Sequence, residues 1–173
     1  LRACGRPDST VCPSDQICPL RSLLMRRFIA AGFGVGLIPR RIWGSDNGAG
    51  TFGAVLAGII ALVLMPLGIW IHVMATIVVI GLSLWSPDPF LATDNDPGWI
   101  TIDEVAGAML AVTGLVGWPW AIAWIVARLA DIFKVLPGVP QAEGLPGAVG
   151  ITADDLVAGL YGLAAGWVLT WIM

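Results

Sequence analysis

The chain has 173 residues, about one domain's worth; 57% are hydrophobic, only 12% are charged, and the mean hydropathy is +0.85. Soluble domains carry about 25% charged residues, so the composition excludes an ordinary soluble globule and a disordered chain. A net charge of −3, with no basic stripe to neutralise phosphates along a strand, excludes a nucleic-acid binder and leaves an integral membrane protein of several helices.

In chain order, residues 1–24 lack apolar periodicity and the hydrophobic region of a signal peptide. They read as a disordered N-terminal extension ahead of one helical membrane domain, 25–173, and Met25-Arg26-Arg27 looks like a natural start. Cys4, Cys12 and Cys18 all lie in this extension. Their odd number and spacing match no zinc pattern, and no disulfide is expected on a cytoplasmic segment. A short helix is predicted over Leu20–Ala31.

Between Asp46 and Asp88 there are 41 uncharged residues. A spanning helix needs roughly 17–25 apolar residues, so this gap fits two, about Thr51–Met65 and Leu67–Trp85, broken near Pro66-Leu67-Gly68. The lone His72 sits after that break and reads as a hydrogen-bonded histidine of a helix bundle. The next gap, 23 residues from Glu104 to Arg128, is either one span or a hairpin of Ile102–Thr113 and Trp118–Leu136 broken at Gly114–Pro119. The last 18 residues are uncharged and give a helix over Ala153–Met173. The fold class is therefore an all-α membrane bundle of about six helices, one of them short and partly buried at its centre.

Parity favours the hairpin. With it, all nine Lys/Arg and all twelve Asp/Glu fall on one side of the membrane, and the two distal turns carry none. The positive-inside rule makes that side cytoplasmic. Trp70, Trp118, Trp120, Trp167 and Trp171 are expected at the distal interface, Trp85 and Trp99 at the near one. Gly162-x-x-x-Gly166 permits close helix packing.

The residue inventory excludes several chemistries. One histidine cannot supply paired-imidazole phosphoryl transfer or a histidine zinc site. Asp94-Asn-Asp96 has the carboxylate spacing of an aspartyl-phosphate phosphatase, but Gly98 and the missing strand argue against it. There is no serine nucleophile elbow or P-loop. Carboxylates with a few cations remain, the composition of a divalent-cation site acting on phosphate.

Thr101-Ile-Asp103-Glu104 and Thr152-Ala-Asp154-Asp155 both have the Thr-x-x-acid spacing of a capping box. Taken singly, each acid pair reads as a helix cap. Arg128, Asp131 and Lys134, at i, i+3 and i+6, share one face of a helix end. Three charged helix ends on one membrane face are more than capping requires. Asp103, Glu104, Asp131, Asp154 and Asp155 could hold one or two Mg²⁺, with Arg128 and Lys134 on the phosphate. The loops Gly32-Phe-Gly34-Val-Gly36 and Gly48-Ala-Gly50-Thr51-Phe-Gly53 could offer backbone N–H groups to phosphate.

These motifs resemble the phosphatidylglycerophosphatase A family of bacterial lipid phosphatases. The resemblance is carried by Gly32–Pro39 with Gly50-Thr51-Phe-Gly53, by Asp96-Pro-Gly-Trp-Ile-Thr-Ile-Asp103-Glu104-Val-Ala-Gly107, by Arg128-Leu-Ala-Asp131-Ile-Phe-Lys134, and by Gly150-Ile-Thr-Ala-Asp154-Asp155-Leu-Val-Ala-Gly159. It runs from about residue 28 to the C-terminus. It implies an all-helical, Mg²⁺-dependent enzyme of the inner (cytoplasmic) membrane that removes the terminal phosphate of phosphatidylglycerophosphate at the cytoplasmic face. It also implies that Asp103, Glu104, Asp131 and Asp154 or Asp155 are essential acids, and that Arg128 and Lys134 lie near the phosphate. The chain has Ala49 and Val135 where the family usually has proline. A phosphomonoesterase acting on another lipid phosphate is the alternative within this class, and two rivals lie outside it: a cation-coupled carrier, which predicts charges at mid-helix depth, and a non-catalytic scaffold.

Overall fold

The structure is a computed structural model of the chain, and residues 17–91 and 97–173 are described. All regular structure among them is helical: α1 Ile17–Ala30, α2 Ile38–Trp43, α3 Ala49–Leu64, α4 Ile69–Trp85, α5 Ile102–Ala111, α6 Gly117–Phe133, α7 Val139–Glu143 and α8 Gly147–Ile172. The six expected helices are present. The other two, α2 and α7, are short and carry proline in their first turn (Pro39 and Pro140), where its missing N–H costs nothing. They lie in segments whose few residues show no readable period.

Two boundaries differ from the sequence reading. Helix α1 begins at Ile17, three residues before the expected Leu20. Cys4, Cys12 and the Asp94-Asn-Asp96 spacing lie outside the described residues. Helix α8 begins at Gly147, six residues before the expected Ala153. Pro146 is its extended N-cap, which ends the loop earlier than Thr152 would.

Contacts fix the directions of the helices. Trp124 Nε1 on α6 donates to the Ala54 carbonyl of α3. His72 Nε2 of α4 lies 3.0 Å from the Met109 carbonyl of α5, so the lone histidine is a buried, hydrogen-bonded bundle residue. Ser83 of α4 pairs with Thr152 of α8 at 2.7 Å. Lys134, just past α6, meets Asp154 of α8, whereas Gly166 near the far end of α8 packs on Leu115 and Ala123. Helix α6 is therefore antiparallel to α8, and α5 runs parallel to it. Helices α5 and α6 form the hairpin, and Asp103, Glu104, Arg128, Asp131 and Lys134 share one end of the bundle.

Three helical stretches among the described residues are long and apolar enough to cross a membrane: Ala49–Leu67, Ile69–Phe90 and Gly147–Ile172. A fourth span arises if the bent pair Leu20–Ala30 and Val35–Trp43 counts as one. Helix α6 runs beside α8 for its whole length. Helix α5 has ten residues and covers about 15 Å, half of a ~30 Å hydrocarbon core. Packed inside the bundle, it satisfies its backbone internally.

Small residues let these helices meet. A Cβ on Gly107 would sit 3.0 Å from the Asp155 Cβ, and one on Gly159 would lie 3.3 Å from the Gly107 Cα. Gly162 and Gly166 press on α6 at Ala123 and Ala127, as the small-xxx-small spacing predicts. Trp70, Trp118 and Trp171 are widely exposed at the distal end. Trp120 lies at the same end, beside Met65, Gly68 and Val116, with its ring turned inward against the buried cluster of Ala61, Ala111, Val112 and Ala127.

Candidate active site

At the charged end, α5, α6, α7 and α8 surround a cavity of about 610 Å³. Asp103, Glu104, Asp131, Lys134, Asp154 and Asp155 all line it, so every predicted acid reaches one space. Each of Asp103, Glu104 and Asp155 offers an oxygen within 4.8 Å of the other two. Asp103 and Asp155 are only 5% and 7% exposed. Buried carboxylates this close repel unless a cation joins them.

Glu104 records that imbalance. Burial, then the Asp155 charge, raises its carboxyl to about 8, against the opposing effects of a hydrogen bond with Asp103 and the Arg128 charge. Its Oε2 is buried and has no hydrogen-bond partner. An orphaned oxygen beside two further carboxylates is a hard-oxygen donor set, and the cluster has the geometry to hold a metal ion.

The two cations are already engaged. Arg128 binds Asp131 at 2.5 Å. Lys134 Nζ bridges Asp154 at 2.9 Å and Glu143 at 2.6 Å. Burial alone would lower the Lys134 ammonium, but these two bonds outweigh it and hold it above its ordinary range. Lys134 adopts a left-handed backbone, φ 49° and ψ 30°, as the C-cap of α6. That conformation disfavours a side chain with a Cβ, and the double carboxylate clamp offsets the cost.

Neither acid pair caps a helix through its preceding threonine. The Thr101 side chain makes no capping bond, and its buried Oγ1 is unpartnered. Asp103 instead accepts the Glu104 N–H at 3.1 Å. Thr152 is inside α8, and Asp154 accepts the Asp155 N–H at 2.9 Å. Asp154 and Asp155 sit about two turns into α8, where capping cannot account for them.

The glycine loops contribute shape. A Cβ on Gly50 would collide with Glu104 Oε1 and lie 3.2 Å from Arg128 Nη2, so α3 can approach the acids only with glycine there. Thr51 is exposed and does not line the cavity; its N–H is spent on the Gly48 carbonyl. Arg128 also lies outside the cavity wall. The N–H groups of Gly32, Gly34 and Gly36 all bond to the Ile29 and Ala31 carbonyls, so this turn is a packing device against Thr101 and not an open phosphate cradle.

Glu143 was not visible as a site residue in the sequence. It sits at the end of α7, lines the cavity and clamps Lys134. The available signal was an isolated acid before Gly144-Leu-Pro-Gly147 in a chain so poor in charge.

Fold and site together define a helical membrane protein with a buried acid cluster and flanking cations at one end of its bundle, the equipment of a membrane phosphatase. The family described as Phosphatidylglycerophosphatase A matches residues 28–170, and the chain belongs to this family. It is similar to a Bacteroides thetaiotaomicron protein named "Putative phosphatidylinositol-3-phosphatase", 31% identical over 156 residues, covering 84% of this chain and 93% of that protein. It is also similar to the Haemophilus influenzae Phosphatidylglycerophosphatase A, 30% identical over 138 residues, covering 77% and 81%. No solved structure matches.

Proposed function

We propose that this phosphatase hydrolyses the terminal phosphomonoester of phosphatidylglycerophosphate to give phosphatidylglycerol, with Mg²⁺ as cofactor, at the cytoplasmic face of a bacterial inner membrane. The observation that carries this reading is the buried Asp103–Glu104–Asp155 cluster facing the cavity that Lys134 also lines. Asp103, Glu104 and Asp155 would hold the ion, which when bound neutralises charge on phosphoryl oxygens. Asp131 and Asp154 would hold Arg128 and Lys134 in place. A phosphate entering the cavity competes with Glu143 for the Lys134 ammonium, the more exposed of its two bonds. Arg128, beside Gly50, supplies a second fixed positive charge, which favours developing negative charge on the phosphate. Gly50 is proposed to act by letting α3 close on Glu104 and Arg128 and so hold both beside the phosphate.

Apolar side chains such as Ile59, Val63, Met74 and Ile77 are exposed along α3 and α4, which suits a bundle set among acyl chains, and lateral entry of a lipid substrate is part of the proposal. The cytoplasmic orientation rests on the positive-inside rule. The domain is proposed to comprise residues 25–173.

A second substrate reading rests on the Bacteroides relative, whose name points to a phosphoinositide. Both substrates are lipid phosphomonoesters, so one assay separates them. Purified protein is given each lipid in turn, with Mg²⁺ or with EDTA, and released phosphate is measured. The reading expects Mg²⁺-dependent release from phosphatidylglycerophosphate. Release from the phosphoinositide alone would move the substrate, and release unaffected by EDTA would remove the metal.

A further inference from the structure

Charge is unevenly divided along the chain. From Ile17 to Asn47 there are five arginines (Arg21, Arg26, Arg27, Arg40 and Arg41) and one acid, Asp46, whereas from Asp88 onward acids outnumber cations. The active-site chemistry uses none of these five. They lie on α1 and α2, which form a bent pair at 82°.

The bend opens a groove of about 400 Å³ lined by Leu24, Arg27, Phe28, Leu37, Arg40 and Arg41. Its two walls share one spacing. Leu24, Arg27 and Phe28 stand at i, i+3 and i+4 on α1; Leu37, Arg40 and Arg41 repeat that spacing into α2. Residues so spaced share a helix face. The α1 wall therefore presents Leu24 and Phe28 with one arginine, and the α2 wall presents Leu37 with two.

The cations are exposed and only lightly committed. Arg40 faces Asp46 at 3.7 Å with 62% of its side chain exposed, a surface contact of small value. Among the described residues, Arg27 and Arg41 take part in no ion pair. Arg27 is instead positioned by stacking over Trp99, 5.5 Å from the ring centroid, a cation–π contact that orders the side chain without neutralising it. Next to the groove, Leu20, Leu23, Met25, Phe33 and Trp43 are exposed apolar groups.

We propose that the α1–α2 groove is a binding site for the phosphodiester headgroup of an anionic phospholipid, separate from the acid cavity, with the acyl chains lying along the exposed apolar faces of α1. This rests on the membrane reading above but not on the phosphatase chemistry. Three arginines around one concavity suit a single phosphate, and flanking apolar groups favour a lipid over a free anion.

The test uses the full chain in detergent, without Mg²⁺, and needs no turnover. Protein is equilibrated with equal phosphatidylserine and phosphatidylcholine, which carry no phosphomonoester for the acid cavity, and the lipid retained is counted by native mass spectrometry. The wild type is expected to retain phosphatidylserine preferentially. In Arg27→Gln/Arg41→Gln that preference should fall by about tenfold to thirtyfold, the change expected from two near-surface arginines. Arg41→Gln alone, at an exposed position, should fall part of the way with no change in elution. Arg21→Gln, outside the groove, should leave the preference intact. Equal retention of both lipids by the wild type, an undiminished preference in the double variant, or an equal loss in Arg21→Gln would each overturn the site. Loss of phosphatase activity has no bearing on these outcomes.

Discussion

Asp155 and Asp103 are nearly inaccessible, yet their oxygens share a space with Glu104. Groups arranged this way destabilise the empty site and favour a bound cation. Asp155→Asn is therefore expected to lower kcat/KM for phosphate release by about a hundredfold to a thousandfold, the usual loss when a fixed electrostatic contact to a transition state is removed. In EDTA its melting temperature should equal or exceed that of the wild type, because one of three like charges is gone. A large drop in thermal stability would instead assign Asp155 a structural role. Lys134 gives the opposite pattern. Lys134→Met leaves Asp154 buried without its ion pair, so it should lose activity and about 1–3 kcal/mol of stability, read from denaturant unfolding. The sequence pointed to both residues because charge is so scarce. It did not reveal their pairing: Glu143 binds Lys134 from nine residues away, across a loop with no period.

At the scale of elements, glycine spacing decides where α5, α6 and α8 cross. Gly159→Ala places a methyl group against the Gly107 backbone and should destabilise by about 1–3 kcal/mol, the common cost of overpacking. Gly81→Ala on α4 meets nothing within 4 Å and should leave the melting temperature unchanged or raise it slightly. Comparing the two variants separates a packing requirement from a general glycine effect. Helix existence was legible from gaps between charges, since an apolar run of spanning length has few alternatives in a membrane. Helix starts were less legible. The Thr152-x-x-Asp155 spacing imitates a cap, but Pro146 begins α8 earlier and carries the acids two turns inward. That shift turns a local capping signal into a buried pair, and only tertiary packing against Gly107 reveals it. Helices α2 and α7 were missed because six and five residues hold too few turns for an apolar period.

Across the whole molecule, one arrangement explains both the apolar composition and the location of the charges. Helices α3, α4, α6 and α8 run the length of the bundle, and α5 turns back halfway, delivering Asp103 and Glu104 to the same end as Lys134. The hairpin followed from charge parity alone, and the resemblance in the motifs agreed with the family match over residues 28–170. The orientation predicts a labelling pattern. With the three cysteines replaced by serine, single cysteines at Val135 and Ile42 should react from the cytoplasmic side of sealed vesicles. One at Val116 should react only from the other side. Labelling of 116 and 135 from the same side would contradict the hairpin.

The central claim is that the buried acids and the cations at their rim form one phosphate-releasing site. Phosphate release from phosphatidylglycerophosphate by the purified chain, with Mg²⁺, with EDTA, and with Asp103→Asn, tests it most directly. The account predicts release with Mg²⁺ and little in EDTA. It also predicts loss of about a hundredfold or more in Asp103→Asn, with unchanged yield of membrane-inserted protein. Full activity in Asp103→Asn would contradict it.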